Sequence, residues 1–301
     1  MVNEHEPLMS GKPPTLPVPT KVWRPSDLSE AWEVKRQYGT EARYITGGTL
    51  IQLQREQGTP LAKHLISLDK INVLEGFDHL EDEGQFKLRI GALTTLSDCH
   101  RNVFIEEYWP ILAEAIRHVA SPAVRNRATI GGNVCYQVGD VIPALMVLEA
   151  EAVSFDGTTY LSNDIATYIQ LINGEDHPIL ASISLPEPPV SAQVLSFFKK
   201  VGRREAFIPS IVTVACQGCI NESGEVEYIR LAAGGGTASP KRLYECERFV
   251  QNKVLIEEDL GRLYEMVLQE YVPASDPFTT ADYRKTVAAN VIVSEFEKLI
   301  Q

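Results

Sequence analysis

No apolar run in this sequence is long enough to cross a membrane. The longest, residues 141–153, is interrupted by Pro143, Glu149 and Glu151. The opening residues lack a basic start followed by an apolar stretch, so no secretion signal is expected there. Pro13, Pro14, Pro17 and Pro19 instead predict an extended arm over residues 1–20. Cysteine is sparse: Cys99, Cys135, Cys216, Cys219 and Cys246 are odd in number and scattered, which predicts reduced thiols and a cytoplasmic location. Basic residues are in the minority, 28 against 40 acidic ones for a net charge of -12, so nonspecific phosphate neutralisation is excluded as a function. There is no internal repeat and no recognisable Ser-His-Asp or paired-carboxylate arrangement. Cys216 and Cys219 have ligand spacing but no second pair to complete a zinc or iron–sulfur site, so both read as core thiols.

What is present is a chain of 301 residues, 44% apolar, large enough for more than one packed unit. Asp27 and Glu30 have capping-box spacing before a helix over Leu28–Tyr38, and Gly39 can stop it. A strand at 42–46, a glycine turn, a helix at 50–57 and a strand at 64–68 make a small βαβ unit. Alternation at Phe86, Leu88 and Ile90 predicts a strand ending at Gly91. Helices follow near Leu96 and through Ile111, Leu112, Ala115, Ile116 and Val119, the second broken by Pro122. Residues 145–154 and 179–185 read as helix or strand core. Residues 186–192 read as a linker. Beyond it, strands at 208–220 and 225–233 joined by a turn at 221–224, then helices at 255–268 and 286–299, form a closing α+β unit. Gly234–Gly236 reads as a turn.

Two glycine pairs carry the chemistry: Thr46-Gly47-Gly48-Thr49 and Thr129-Ile130-Gly131-Gly132-Asn133. Glycine admits conformations closed to other residues and leaves no side chain in the way. Successive backbone N–H groups can then converge on an anion, helped at Gly47-Gly48 by the positive end of the following helix. Charge-assisted bonds of this kind contribute roughly 1.5–3 kcal/mol each, so a few suffice to anchor a dinucleotide diphosphate. Taken alone, a Gly-Gly pair is usually just a turn. Neither fits GxGxxG with a following acidic residue, nor the Walker loop.

The segments ITGGTLIQL and RNRATIGGN, in this order, resemble the two FAD-binding loops of the FAD (medium) subunit of molybdenum hydroxylases, the carbon monoxide dehydrogenase and xanthine dehydrogenase family. KVWRPSDLSEA, IGALTTLSDC, ILASISLP, FFKKVGRREAFIPSIVTVA, LAAGGGTASPKR and ADYRK extend the resemblance from about residue 20 to the C-terminus. It implies an α+β, two-subdomain FAD-binding fold of the PCMH (vanillyl-alcohol-oxidase-like) type over 21–186, divided near 75, and a C-terminal α+β domain over 193–301. By the same resemblance, Thr46, Gly47, Gly48, Thr49 and Leu50 would wrap one side of the FAD diphosphate. Thr129, Ile130, Gly131, Gly132 and Asn133 would wrap the other. Asp140 would hydrogen-bond the cofactor, Leu180 would lie near the flavin ring, and Lys199 would supply a cation beside it.

The implied partners are a molybdopterin-binding large subunit and a [2Fe-2S] small subunit in a dimer of heterotrimers, with electrons passing through FAD to NAD or another acceptor. Two departures stand out: the stretch from Asn133 to Asp140 is short for the family, and Leu50 replaces a frequently polar residue. A rival reading is a self-sufficient flavoenzyme on a related fold, such as UDP-N-acetylenolpyruvoylglucosamine reductase. Its second loop usually reads Pro-Gly-x-x-Gly-Gly, a pattern absent here. A third is a flavin-free assembly module. Cys135, beside the second pair, reads first as packing. Arg203, Arg204 and Glu205 fit either cofactor contacts or a solvated, ion-paired face.

Overall fold

The computed structural model describes residues 19–56, 58–82, 85–173, 177–188, 194–202 and 210–300. The expected arm up to residue 18, part of the linker, and Arg203, Arg204 and Glu205 lie outside the described residues. The chain begins with β1 (Lys21–Trp23), α1 (Leu28–Tyr38), β2 (Ala42–Ile45), α2 (Thr49–Glu56) and β3 (His64–Ser67). The Asp27 side chain accepts the Glu30 N–H at 2.9 Å, while Glu30 reaches back to the Ser26 N–H at 2.8 Å, which fixes where α1 starts. Leu28, Ala31 and Val34 then share its buried face. The expected βαβ unit is present: β2 and β3 pair in parallel, and β1 adds to the far side of β3 in the order β1-β3-β2.

A five-stranded antiparallel sheet follows, in the order β4-β5-β8-β6-β7. Its strands are β4 (Phe77–Asp82), β5 (Gln85–Gly91), β6 (Glu151–Phe155), β7 (Tyr160–Asp164) and β8 (Ile179–Leu185). Between β5 and β6 run the short helices α3 (Leu96–Arg101), α4 (Val103–Tyr108), α5 (Pro110–Arg117), α6 (Pro122–Arg125), α7 (Ile130–Cys135) and α8 (Ile142–Val147). α9 (Ile165–Leu171) precedes β8. All seven residues of β8 are buried, and its register with β6 shifts between Val153 and Ser154. This bulge turns Leu180, with Ile183 and Leu185, into the core built on α5 and α8, while Ile179 and Ala181 join the core beneath α1.

The last sheet runs β12-β11-β10-β9, with β9 (Val194–Gly202), β10 (Ser210–Ile220), β11 (Val226–Gly234) and β12 (Lys241–Arg242). α10 (Tyr244–Val250), α11 (Glu257–Glu270) and α12 (Ala281–Glu297) cover one face. Every residue of β10 is buried. Val212, Val214 and Cys216 face the helices, whereas Ala215, with Phe198 and Ala232, joins the core that holds α8. A strand covered on both faces shows no polar alternation, as this sequence shows none. Residues 145–154 resolve into the end of α8 and then β6.

Candidate functional site

The two glycine pairs meet. Thr46 Oγ1 and Thr129 Oγ1 are 3.2 Å apart, and Arg127 Nε lies 3.3 Å from the Gly47 carbonyl. A Cβ on Gly47 would fall 1.7 Å from the Arg127 carbonyl oxygen, so the close approach of the two segments requires glycine there. Of the four glycines only Gly48 uses the left-handed region, with φ at 73°.

The pairs are not equivalent in what they offer a ligand. The second is no turn: Gly131 and Gly132 lie in the first turn of α7, capped by Thr129. Its donors are already engaged. The Ile130 N–H donates to the Thr94 carbonyl, Gly131 to Ala92, Gly132 to Thr129 Oγ1 and Asn133 to the Thr129 carbonyl, at 2.9–3.0 Å. The first pair leads into α2, and the N–H groups of residues 47–51 have no acceptor among the described residues. These amides sit at the positive end of a two-turn helix and are arranged to receive an anion. No residue of α2 is buried. The sequence reading treated both segments as cradles. In the structure the unengaged amides belong to the first segment, and the second contributes Thr129 and Asn133 to the cleft lining.

Both segments line one open cleft of about 1260 Å³, above the roughly 300–1,000 Å³ of pockets for drug-sized ligands. Thr46, Gly47, Gly48, Thr49, Leu50, Thr129, Gly131, Gly132, Asn133, Asp140 and Leu180 all line it. Ile130 does not: it is fully buried in the core beneath. Lys199 is not brought to the cleft either. On β9, Phe197 faces α12 and Phe198 faces α5, so Lys199 falls on the α12 side and meets Glu295 at 3.3 Å. Its neighbour Lys200 reaches the cleft wall instead, donating to Asp140 Oδ2 at 2.7 Å. Strand parity could have told the two lysines apart from the sequence. Other wall residues gave no sequence signal: Tyr44, Val119 and Ala120, residues 136–139, and Tyr168.

Burial along the wall beside α7 raises its titratable groups. Cys135 is exposed as a residue, yet its sulfur turns inward to Tyr168 Oη at 3.6 Å, and desolvation pushes the thiol up to about 11. Tyr168 is raised by the same burial and donates to the Pro178 carbonyl. Burial likewise raises Tyr44, whose Oη has no hydrogen-bond partner among the described residues. FAD fits this arrangement on two observations: five successive unengaged amides suited to a diphosphate, and a large, mainly apolar cleft with an unsatisfied hydroxyl on its wall.

Comparison with known proteins agrees. Residues 18–188 match the family described as FAD binding domain in molybdopterin dehydrogenase, and residues 196–299 match the CO dehydrogenase flavoprotein C-terminal domain. The xanthine dehydrogenase FAD-binding subunit of Escherichia coli O157:H7 is 28% identical over 250 residues, covering 81% of this chain and 84% of that protein. The carbon monoxide dehydrogenase medium chain of Hydrogenophaga pseudoflava is 26% identical over 277 residues, covering 89% and 92%. A solved structure of carbon monoxide dehydrogenase from Hydrogenophaga pseudoflava, lacking the Mo-pyranopterin moiety, shares the fold with a TM-score of 0.83 at 22% identity, covering 94% of this chain and 98% of that one. No helix among the described residues is long and apolar enough to cross a membrane. With both parts of the chain matched, the protein belongs to the family of FAD-binding domains of molybdopterin dehydrogenases, as an oxidoreductase flavoprotein.

Proposed function

We infer that this chain is the electron-relaying FAD subunit of a molybdenum hydroxylase. Residues 21–186 hold the cofactor and residues 193–301 close the far side of the cleft. The carrying observation is the row of unengaged amides at residues 47–51, on the same cleft as the Thr46–Thr129 hydroxyl pair. The amides hold the diphosphate, with the hydrogen-bonded Thr46–Thr129 hydroxyl pair adding one further donor and Asn133 and Leu180 lining the path beyond. Bound FAD supplies exchange of one or two electrons, which suits a junction between one-electron clusters and a two-electron acceptor. The clusters and the molybdopterin belong to partner subunits, the small and large chains of a dimer of heterotrimers, and the acceptor is NAD or another soluble oxidant.

Purification of the native protein under mild conditions, followed by mass spectrometry, tests this reading. Co-purification of a molybdopterin-binding chain and a [2Fe-2S] chain is expected, with electron delivery to an added acceptor lost when the FAD subunit carries Gly132→Val. Turnover of a small substrate by the isolated chain would overturn it in favour of a self-sufficient reductase.

A further inference from the structure

One ammonium group fastens two separate stretches of the cleft wall. Lys200 Nζ donates to Asp140 Oδ2 at 2.7 Å and to the His118 carbonyl at 2.9 Å. The pair is almost withdrawn from water, with side chains 9% and 14% exposed. Asp140 ends the wall segment 136–140, and His118 leads directly into the wall residues Val119 and Ala120. Each stretch carries a non-glycine residue in the left-handed region, Gln137 with φ at 66° and Ala120 with φ at 42°. Side chains avoid that conformation, and it persists only where the surroundings over-determine it. Arg125 helps at Val119 and Ala120 by donating to both carbonyls. Asn133 helps at the other stretch, its Oδ1 accepting the Val141 N–H. Lys200 touches both, and it comes from the C-terminal sheet.

We propose that Lys200 is a positioning residue for FAD: from the C-terminal sheet it shapes two cleft walls, one of them through the Asp140 carboxylate. The proposal rests on the reading of the cleft as an FAD site. Removing one partner of a buried ion pair strands the other, whereas replacing both with apolar side chains of similar length leaves neither unpaired. A direct contact between Asp140 and the nucleotide has the opposite consequence, since no change at Lys200 can restore it.

The full-length chain, stripped of flavin, is titrated with FAD by fluorescence, and melting curves without FAD monitor the fold. Lys200→Met is expected to weaken FAD binding by about tenfold or more. Lys200→Arg, which keeps the charge, stays within about threefold of the parent. Lys200→Met combined with Asp140→Leu recovers most of the affinity that either single change loses. Should Lys200→Met melt below the assay temperature, the comparison of Asp140→Leu with the double variant decides alone. Lys200→Met binding as tightly as the parent overturns the proposal. So does a double variant no tighter than Asp140→Leu, which would assign Asp140 to the nucleotide. A parent chain that takes up no FAD overturns the cleft reading itself.

Discussion

The hydroxyls of Thr46 and Thr129 stand 3.2 Å apart although 83 positions separate them in sequence. Gly132 lies against both: a Cβ there would come 2.9 Å from Thr129 Oγ1 and 3.3 Å from Thr46 Oγ1. Gly132→Val therefore drives the hydroxyls apart and fills the space before the amide cradle. The variant is expected to fold and to carry no FAD after reconstitution, read as the flavin-to-protein absorbance ratio. A normal ratio would place the diphosphate elsewhere.

The two threonines differ in what else they do. Thr129 caps α7 through the Gly132 N–H, while no capping bond is seen for Thr46. Thr46→Val should weaken FAD binding by about three- to tenfold, the worth of one net hydrogen bond, with little change in melting temperature. Thr129→Val should do the same and also cost roughly 0.5–2 kcal/mol of stability. Calorimetry of the flavin-free variants separates the two; equal melting temperatures would contradict the capping role.

Adjacent glycines are expected to respond in opposite ways. At Gly48 a methyl group meets only Ile45 Cδ1 at 3.8 Å, so Gly48→Ala suffers the left-handed backbone alone, about 1 kcal/mol, and keeps the cradle open. At Gly47 the methyl group collides with the Arg127 backbone, so Gly47→Ala must part the two segments and should lose FAD binding. Titration of both variants with FAD checks the contrast.

Lys199→Ala is expected to leave the flavin reduction potential where it was. Its side chain is 44% exposed and paired with Glu295, away from the cleft, and such pairs contribute at most about 1 kcal/mol. A shift in potential, measured by dye-equilibrated reduction, would bring Lys199 back beside the ring.

Alkaline pH should weaken the fold through its buried thiol and phenol groups. Desolvation raises the Cys135 thiol from 9.0 to about 11 and the Tyr271 phenol from 10.0 to about 12. Below pH 9 both groups keep their protons in the folded and unfolded chains alike. Above it the unfolded chain ionises first, so stability falls as pH rises through the window from 9 to about 12. Melting temperatures should hold steady from about pH 7 to 9 and then decline; a flat profile to pH 11 would contradict the inward placement of the sulfur.

The sequence made the local features plain and the non-local ones obscure. Asp27 and Glu30 mark the start of α1, and the strand–glycine–helix–strand order of residues 42–68 stands as read. β1 was missed because three residues, two of them exposed, carry no periodicity, and its partner β3 lies some forty positions away. α8 merged with β6 because a helix buried on every side loses its polar face. The second glycine pair passed for a turn, although Thr129 before it has the chemistry of a helix cap. Which amides are free and which are engaged depends on Thr94 and Ala92, and no spacing rule reaches that far.

β10, whose every side chain is shielded, has a bearing on how this protein can be cut. One of its faces supports α12, and the other, through Ala215, supports the helices beside the cleft. Severing the chain in the 186–193 stretch would therefore leave two raw surfaces, each formerly interior. Neither fragment is expected to survive alone in solution, and the intact polypeptide should melt as one cooperative body, its last hundred residues acting as a buttress for the nucleotide site and not as a detachable appendage.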